Sequence, residues 1–296
     1  MVKGESSNAP GADEDTDGRR VCGTCVTKLG GTYTFMNKIA LAPTTLPNAP
    51  LLEYIDAAVR AGYAGIGIRL FRSPGITYAF HPVVGNPTLM REVKNAITHS
   101  RLEVLDVLSF YLQPEMDLGS MLPPLAFGAE IGATHALVIG DDPDWGRLCN
   151  NFGRFCDAAA RVGLTAALEA PVNSRAVNTL PLALRLIADT GRENAVICLD
   201  PLQYFRAGHS VELLQGQEPR LFPYTQITDG LHTGGRSALG EGAVPLREML
   251  DVLPADLPLS LEWPVPSGTS YTAAEWARVA LEHTRRYLQR YYAEKP

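Results

Sequence analysis

The feature that most constrains this chain is a pattern that occurs eight times after Met36, in which a short apolar segment precedes a longer amphipathic one. Short apolar segments predict buried strands, and amphipathic segments predict helices that cover them. The predicted strands are residues 38–42, 65–70, 103–108, 135–140, 165–169, 195–200, 224–229 and 259–263. The predicted helices include residues 51–61, 87–99, 146–162, 180–190, 245–253 and 272–292. Eight β/α units of roughly 33 residues each predict an α/β fold with a single (β/α)8 TIM barrel, because doubly wound sheets usually have about five or six strands.

The residues before this pattern have a different composition. Residues 1–31 are rich in Gly, Ser, Asn, Pro and Asp and contain few large apolar side chains. Such a segment cannot bury enough surface to order itself, so we predict a polar, mobile, disordered tail over residues 1–35 and the barrel over residues 36–296. Cys22 and Cys25 form a Cys-x-x-Cys pair in this tail, but no second pair follows to complete a four-ligand zinc site. We interpret them as unpaired cysteines.

Side chains alternate in type along the predicted strands. In residues 65–69, isoleucines occupy one parity, whereas two glycines and Arg69 occupy the other. Successive strand side chains point to opposite faces, so the aliphatic parity faces the surrounding helices and the other parity faces the barrel interior. The last interior-facing residue of four strands is ionisable: Arg69, Glu169, Asp200 and Glu262. TIM barrels carry their chemistry at the C-terminal ends of the strands, so these are candidate site residues.

Three of these residues are carboxylates that close the fifth, sixth and eighth predicted strands. Glu169, Asp200 and Glu262 are therefore expected to converge over the barrel mouth. Neighbouring carboxylates raise one another's pKa and burial adds a desolvation cost, unless a cation neutralises them. A divalent metal resolves this conflict. The alternative is that they are ordinary strand-end carboxylates that accept hydrogen bonds from loops.

The seventh predicted strand offers two polar candidates of opposite parity, Gln226 and Asp229. Ile227 as the outward aliphatic side chain favours Gln226 as the inward residue and places Asp229 in the following loop. The predicted metal ligands are then Glu169, Asp200, Gln226 and Glu262, all of which donate oxygen. Hard oxygen donors favour Mn²⁺ or Mg²⁺, with Co²⁺ as a further candidate, so we predict one such metal ion as the cofactor.

Five short segments on the predicted barrel occur in a recognisable order. They are Leu168-Glu-Ala-Pro171, Cys198-Leu-Asp200, Thr225-Gln-Ile-Thr-Asp229, Gly240-Glu-Gly242 and Leu259-Ser-Leu-Glu262. In order and spacing they resemble the sugar phosphate isomerase/epimerase family of xylose-isomerase-like TIM barrels, from Met36 to the last helix. The resemblance implies the barrel fold and a bound metal. It leaves the substrate open, because the superfamily includes ketose 3-epimerases, inosose dehydratases, 3-dehydroshikimate dehydratases and abasic-site endonucleases.

The resemblance also implies residue roles. In the epimerases the ligands are Glu, Asp, His and Glu, and both glutamates move the proton, which implies that Glu169 and Glu262 are catalytic. Gln226 stands where the epimerases have histidine. The 3-dehydroshikimate dehydratases have glutamine there, and Arg175-Ala-Val-Asn-Thr179 is also similar to their sequence. Family members commonly read Asp-x-x-His after the sixth strand, whereas this chain has Asp200-Pro-Leu-Gln203, which weakens any role that depends on that histidine.

The epimerases and the dehydratases have one step in common, proton abstraction next to a carbonyl. A metal stabilises the developing enolate and a carboxylate takes the proton. We therefore expect a metal-dependent isomerase or epimerase that acts on a small polyhydroxy ketone or sugar, with or without a phosphate. The alternative is a carbon–oxygen lyase of the 3-dehydroshikimate dehydratase kind, which Gln226 favours. A non-catalytic binding barrel and an abasic-site endonuclease are the less favoured hypotheses.

Five further residues are candidates for binding the substrate. They are Arg69, His81, Gln203, Arg206 and Arg236. An arginine can hold a carboxylate or an oxygen-rich sugar through two hydrogen bonds. Arg236 lies where the resembling epimerases have a substrate-binding arginine. For Arg206, a salt bridge that locks its own loop is the alternative.

The net charge and the hydropathy of the chain argue against two classes of partner, nucleic acids and membranes. Lys and Arg number 26 against 32 Asp and Glu, and the net charge of −6 argues against nucleic acid as the main partner. No stretch approaches the roughly 18 consecutive apolar residues of a membrane span, and the first residues lack an apolar signal region, so we expect no membrane partner and a cytoplasmic protein. The aromatic last helix is predicted to pack on the barrel, with a homodimer contact as the alternative.

Overall fold

Each of the eight predicted strands forms part of one closed parallel barrel. The structure, a computed structural model, describes residues 26–29, 32–35, 37–72 and 80–295. The barrel strands are β1 (Ile39–Leu41), β2 (Gly65–Arg69), β3 (Glu103–Leu112), β4 (His135–Gly140), β5 (Thr165–Glu169), β6 (Ala195–Leu199), β7 (Tyr224–Ile227) and β8 (Leu259–Leu261). Each strand pairs with its neighbours in chain order, and β8 also pairs with β1, which closes the barrel. The predicted TIM barrel is confirmed.

Helices follow every strand and cover the outside of the barrel. They are α1 (Leu51–Ala61), α2 (Pro87–Ser100), α3 (Leu118–Glu130), α4 (Trp145–Arg161), α5 (Leu180–Thr190), α6 (Pro201–Arg206), α7 (Val211–Gln215), α8 (Leu246–Val252) and α9 (Ala273–Ala293). Three of them, α3, α6 and α7, have no counterpart among the helices predicted above. Within the described residues, no helix combines the length and the apolar character that crossing a membrane requires.

Two separate cores explain the alternation in the strand sequences. The larger core lies between the outward strand side chains and the helices, and the aromatic residues of α9 are buried in it. The smaller core fills the barrel interior with Leu108, Leu137, Ile139, Ala167, Cys198 and Tyr224. Because the interior is packed with side chains, a ligand can enter only at an end of the barrel, and the ionisable residues lie at the C-terminal end.

Two short antiparallel strand pairs lie outside the barrel. Val26–Leu29 pairs with Thr32–Phe35 beside α9, in a segment where the sequence predicts no strand. Asp229–Gly230 pairs with Arg236–Ser237 above the C-terminal end of β7, and we call this second pair the β7 hairpin. Of the predicted disordered tail, residues 1–35, the part from 1 to 25 lies outside the described residues, and so do Cys22 and Cys25.

Candidate active site at the C-terminal end of the barrel

The four predicted metal ligands lie at the same end of neighbouring strands and are all buried. Glu169 ends β5, Asp200 follows β6, Gln226 lies in β7 and Glu262 follows β8. Their exposed fractions are 8%, 3%, 2% and 3% respectively. The backbone amide of Glu262 donates to the carbonyl of Ile227 at 3.0 Å, so the β8 end is fixed beside β7. The strand parity read from the sequence thus places these four side chains at one end of the barrel.

Asp200 uses one of its two oxygens to start a helix. Oδ1 accepts hydrogen bonds from the backbone amides of Leu202 at 2.8 Å and Gln203 at 3.0 Å, so Asp200 is the N-cap of α6. Pro201 occupies the first position of the helix, where its missing N–H costs nothing. Oδ2 lies 3.5 Å from Nη2 of Arg236. Asp200 therefore has one oxygen committed to the fold and one directed to the site.

The two carboxylate oxygens of Glu262 also have different partners. Its Oε1 accepts a hydrogen bond from the Thr44 hydroxyl at 2.6 Å, and its Oε2 accepts one from Nη2 of Arg236 at 2.5 Å. Thr44 lies in a short 3-10 turn that directly follows β1. Thr44 was not among the predicted site residues, because no pattern near β1 indicates that its hydroxyl contacts a carboxylate 218 positions away.

The carboxylates of the site perturb one another. Burial raises the pKa of Glu169 well above its ordinary value, and the charges of Asp200 and Glu262 raise it further, whereas Arg236 and Arg69 oppose the change. Burial also raises the pKa of Asp200 to about 6, which Arg236 opposes. These directions are those expected for buried carboxylates that share a site without enough positive charge.

Gln226 has a buried side-chain oxygen without a hydrogen-bond donor among the described residues. Its Oε1 is buried, and no group in the described residues donates a hydrogen bond to it. A buried acceptor without a donor is rare and costs free energy, so this oxygen suits a cation or a ligand. The oxygen-only donor set also suits Mn²⁺ or Mg²⁺. Nevertheless, no three Asp, Glu, His or Cys side chains of the described residues already form a group that could hold a metal ion.

The β7 hairpin presents Arg236 to the site, and Asp229 organises its base. Oδ1 of Asp229 accepts from the amides of Gly230 at 2.7 Å and Val244 at 3.2 Å, and Oδ2 accepts from Gly240 at 2.9 Å. Asp229 therefore lies beyond the regular strand, as the parity of Ile227 indicated. A side chain on the nearby Gly242 would place its Cβ 2.0 Å from Oδ1 of Asp229, so only glycine fits there.

Arg206 braces the β7 hairpin. Its guanidinium donates to the carbonyls of Leu231 at 3.0 Å, Gly234 at 2.8 Å and Gly235 at 3.3 Å. The rings of Phe205 and His232 stack beside it with centroids 4.0 Å apart. This geometry agrees with a loop-locking role, although through carbonyls instead of the carboxylate of a salt bridge. Substrate binding by Arg206 stays a prediction.

The remaining substrate-binding candidates are more deeply placed. Arg69 ends β2, is 5% exposed and donates from Nη1 to the Ser109 hydroxyl at 3.0 Å. His81 is 3% exposed and packs on the Tyr54 ring, and burial together with Arg69 lowers its pKa to about 4. Oε1 of Gln203 accepts a hydrogen bond at 3.1 Å from the backbone amide of Val172, which lies in the loop after β5. Their contact with substrate stays a prediction.

A buried pair inside the barrel was also missed by sequence analysis. Asp106 on β3 is 1% exposed, and its Oδ2 accepts a hydrogen bond from the Tyr224 hydroxyl at 2.8 Å. Burial raises the pKa of Asp106 to about 7 against the lowering effect of this hydrogen bond. A Cβ on Gly67 would lie 2.3 Å from Oδ1 of Asp106, so the glycine makes room for the carboxyl. An acidic residue between apolar residues in the middle of a strand was the available signal.

Beside the mouth, two loop aspartates hold two arginines. Asp141 follows β4 and accepts from Nη2 of Arg175 at 2.9 Å and from its backbone amide at 2.8 Å. Asp142 accepts from Nη2 of Arg147 at 2.7 Å. Arg175, which begins the segment that resembles the dehydratases, is thus already paired with a carboxylate in this structure.

Comparison with known proteins agrees with the fold described above. The sequence profile of the family described as "Xylose isomerase-like TIM barrel" matches residues 55–287. No curated protein matches the chain. Among solved structures, IolI protein with a bound zinc atom has a TM-score of 0.69 at 17% identity, and the match covers 86% of this chain and 99% of that one.

Two further solved structures carry names that are relevant to activity. The probable 3-DHS dehydratase AsbF from Bacillus anthracis has a TM-score of 0.65 at 17% identity, with 84% of this chain and 98% of that chain covered. D-allulose 3-epimerase from Methylomonas sp., in complex with D-allulose, has a TM-score of 0.64 at 16% identity, with 85% and 97% covered.

A longer protein also matches over its barrel part. It is a fusion of a xylose isomerase-like TIM barrel with 4-hydroxyphenylpyruvate dioxygenase, with a TM-score of 0.69 at 17% identity; 88% of this chain and 45% of the fusion are covered. At these identities the structural matches show a shared fold and no shared activity. The profile match spans most of the barrel and agrees with the resemblance stated from the sequence segments. The chain belongs to the xylose isomerase-like TIM barrel family.

Proposed function

We propose that this chain is a divalent-metal-dependent isomerase or epimerase that abstracts a proton next to the carbonyl of a small polyhydroxy ketone or sugar. The observation that carries the proposal is that three buried carboxylates and the partnerless oxygen of Gln226 lie at the same end of neighbouring barrel strands. A metal among Glu169, Asp200, Gln226 and Glu262 would satisfy that oxygen and neutralise the carboxylates. Mn²⁺ or Mg²⁺ suits these ligands best, and Co²⁺ is a further candidate.

When bound, the metal would polarise the substrate carbonyl and stabilise the charge that develops on its oxygen. The proton is moved by Glu169 and Glu262. Because β5 and β8 are separated by two strands of the barrel, these glutamates reach the mouth from different sides. One carboxylate can then remove a proton from one face of the substrate while the other returns a proton to the opposite face, which is epimerisation.

Other side chains would position the substrate. Thr44 holds one oxygen of Glu262, which orients the carboxylate that moves the proton. Arg236 is the partly exposed cation at the mouth, with 24% of its side chain exposed, and it would bind a substrate oxygen or carboxylate. The packed barrel interior below keeps water from approaching from that side.

The experiment that tests the proposal is metal analysis of the purified protein. We expect about one Mn²⁺ or Mg²⁺ per chain after loading, and loss of that metal in Glu262→Gln. Glu92→Gln, which alters an exposed carboxylate on α2, is the matched control and should retain the metal. A wild-type protein that binds no divalent metal under any loading condition would contradict the proposal.

A lyase is the second candidate, because Gln226 and the segment from Arg175 resemble the 3-dehydroshikimate dehydratases and AsbF shares the fold. Incubation with 3-dehydroshikimate separates the two, since dehydration gives an aromatic product with ultraviolet absorbance. Deuterium incorporation into ketoses in D₂O instead supports the epimerase. The absence of both reactions in the metal-loaded protein would favour a non-catalytic binding barrel.

A further inference from the structure

One nitrogen of Arg236 contacts one carboxylate oxygen of Asp200 and one of Glu262. Nη2 is 2.5 Å from Oε2 of Glu262 and 3.5 Å from Oδ2 of Asp200. The other oxygen of each carboxylate is occupied, by Thr44 for Glu262 and by the first amides of α6 for Asp200. Each carboxylate therefore has one oxygen directed to the site, and both of those oxygens face the same cationic atom.

This arrangement brings a positive charge to two buried carboxylates. Both carboxylates are almost fully buried, with 4% and 0% of their side chains exposed, and buried carboxylates repel one another unless a cation lies between them. The guanidinium supplies that positive charge. It also contacts the same two carboxylate oxygens that a divalent ion would use.

We propose that Arg236 is a resident cation that holds the ligand oxygens of Asp200 and Glu262 before metal binds, and that a divalent metal displaces its Nη2 from them. The proposal rests on the metal dependence proposed above. Arg236 lowers the apparent metal affinity, because its contacts with two ligands must be broken before the metal can bind. It also keeps the metal-free site folded.

The displacement is confined to the side chain. Arg206 fixes the far end of the β7 hairpin through three carbonyls, and Asp229 fixes its base through three backbone amides. The backbone that carries Arg236 is therefore held on both sides. Rotation about the side-chain bonds of Arg236 moves the guanidinium off the carboxylates without opening the hairpin.

The test is titration of the metal-free protein with Mn²⁺, followed by the electron paramagnetic resonance signal of free Mn²⁺. Arg236→Gln removes the charge, and we expect it to bind Mn²⁺ about tenfold more tightly than wild type, because the hydrogen bonds to charged groups no longer compete. Arg236→Lys keeps the positive charge and should bind closer to wild type. Arg278→Gln, an exposed arginine on α9, is the matched control and should be unchanged.

The outcomes separate this proposal from the proposed function. Equal or weaker Mn²⁺ binding by Arg236→Gln, with normal binding by wild type, overturns the resident cation alone. No binding by wild type or any variant overturns the metal dependence and the resident cation together. Thermal unfolding gives a second readout, in which the rise in Tm between EDTA and saturating Mn²⁺ is larger for Arg236→Gln than for wild type. An equal or smaller rise overturns the proposal.

Discussion

At the scale of the residue, Asp106 is a buried carboxyl inside the barrel that the proposed chemistry does not use. It lies inside the barrel, bonded to Tyr224 and packed against Gly67. Because burial raises its pKa to about 7, the folded protein binds a proton at this carboxyl over a pH range in which the unfolded chain has released it. The free energy of unfolding therefore falls as the pH rises from about 4 to about 7, because the folded protein must give up this proton or keep it at increasing cost.

Replacement of Asp106 by asparagine removes this pH dependence. Asp106→Asn keeps an acceptor for the Tyr224 hydroxyl but carries no charge. We expect the free energy of unfolding of the variant minus that of wild type to be roughly 3 kcal/mol larger at pH 8 than at pH 5, since one unit of pKa corresponds to about 1.4 kcal/mol. Urea denaturation in EDTA at both pH values measures this difference. An unchanged gap between the two proteins at pH 5 and pH 8 would contradict it.

Residue-level prediction from the sequence succeeds where backbone geometry alone decides the direction of a side chain. Strand alternation placed Glu169, Asp200, Gln226 and Glu262 at one end of the barrel because parity requires only the strand assignment. Thr44 was not predictable, because its contact with a carboxylate depends on how a turn after β1 meets the loop after β8. Contacts of this kind depend on the three-dimensional closure of the barrel, which no local pattern records.

At the scale of the element, the β7 hairpin links two predicted site residues, Arg206 and Arg236, in a way that their spacing did not indicate. Arg206 lies on α6, Asp229 at the hairpin base and Arg236 on its second strand. The brace from Arg206 fixes the position from which Arg236 reaches the carboxylates. A residue predicted to contact substrate can therefore act by holding the residue that reaches the carboxylates.

Loss of the brace should loosen the hairpin locally. In Arg206→Gln, we expect faster amide hydrogen exchange over residues 231–235, whereas exchange in the barrel strands stays as in wild type. The global free energy of unfolding should fall by only about 1 kcal/mol, because the lost hydrogen bonds are partly exposed. Exchange measured by mass spectrometry reports both regions. If Arg206 instead serves only to bind substrate, exchange over residues 231–235 is unchanged in the free protein.

Element boundaries were predictable in proportion to the strength of the local signal. Helices α1 and α5 match their predicted bounds, because each carries a clear amphipathic repeat and a glycine follows its end. Helix α3 was missed because Pro123 and Pro124, which usually interrupt helices, lie inside it. Helix α6 is only six residues long, yet its Asp200-Pro201 start is a helix signal that could have been used.

At the scale of the whole molecule, barrel closure brings the two ends of the folded chain together. Asn37, just before β1, donates from Nδ2 to the carbonyls of Ala255 at 3.0 Å and Leu257 at 2.9 Å, just before β8. Its Oδ1 accepts from the hydroxyl of Tyr292 on α9 at 2.6 Å. Repetition in the sequence predicted a barrel, but it did not indicate which side chains join the first strand to the last, because these partners are more than 200 residues apart, by 218, 220 and 255 positions.

Removal of this junction should destabilise the entire barrel. Asn37 is 7% exposed, so in Asn37→Ala the buried carbonyl of Leu257 loses a donor in a site that water scarcely reaches, whereas the carbonyl of Ala255 keeps the hydrogen bond from Tyr292. We expect the free energy of unfolding to fall by about 2–4 kcal/mol, because buried groups that lose a hydrogen bond pay their desolvation cost. Asn95→Ala, on the exposed face of α2, is the matched control and should change it by less than about 0.5 kcal/mol. Urea denaturation compares the two variants, and equal effects would show that the junction does not hold the barrel closed.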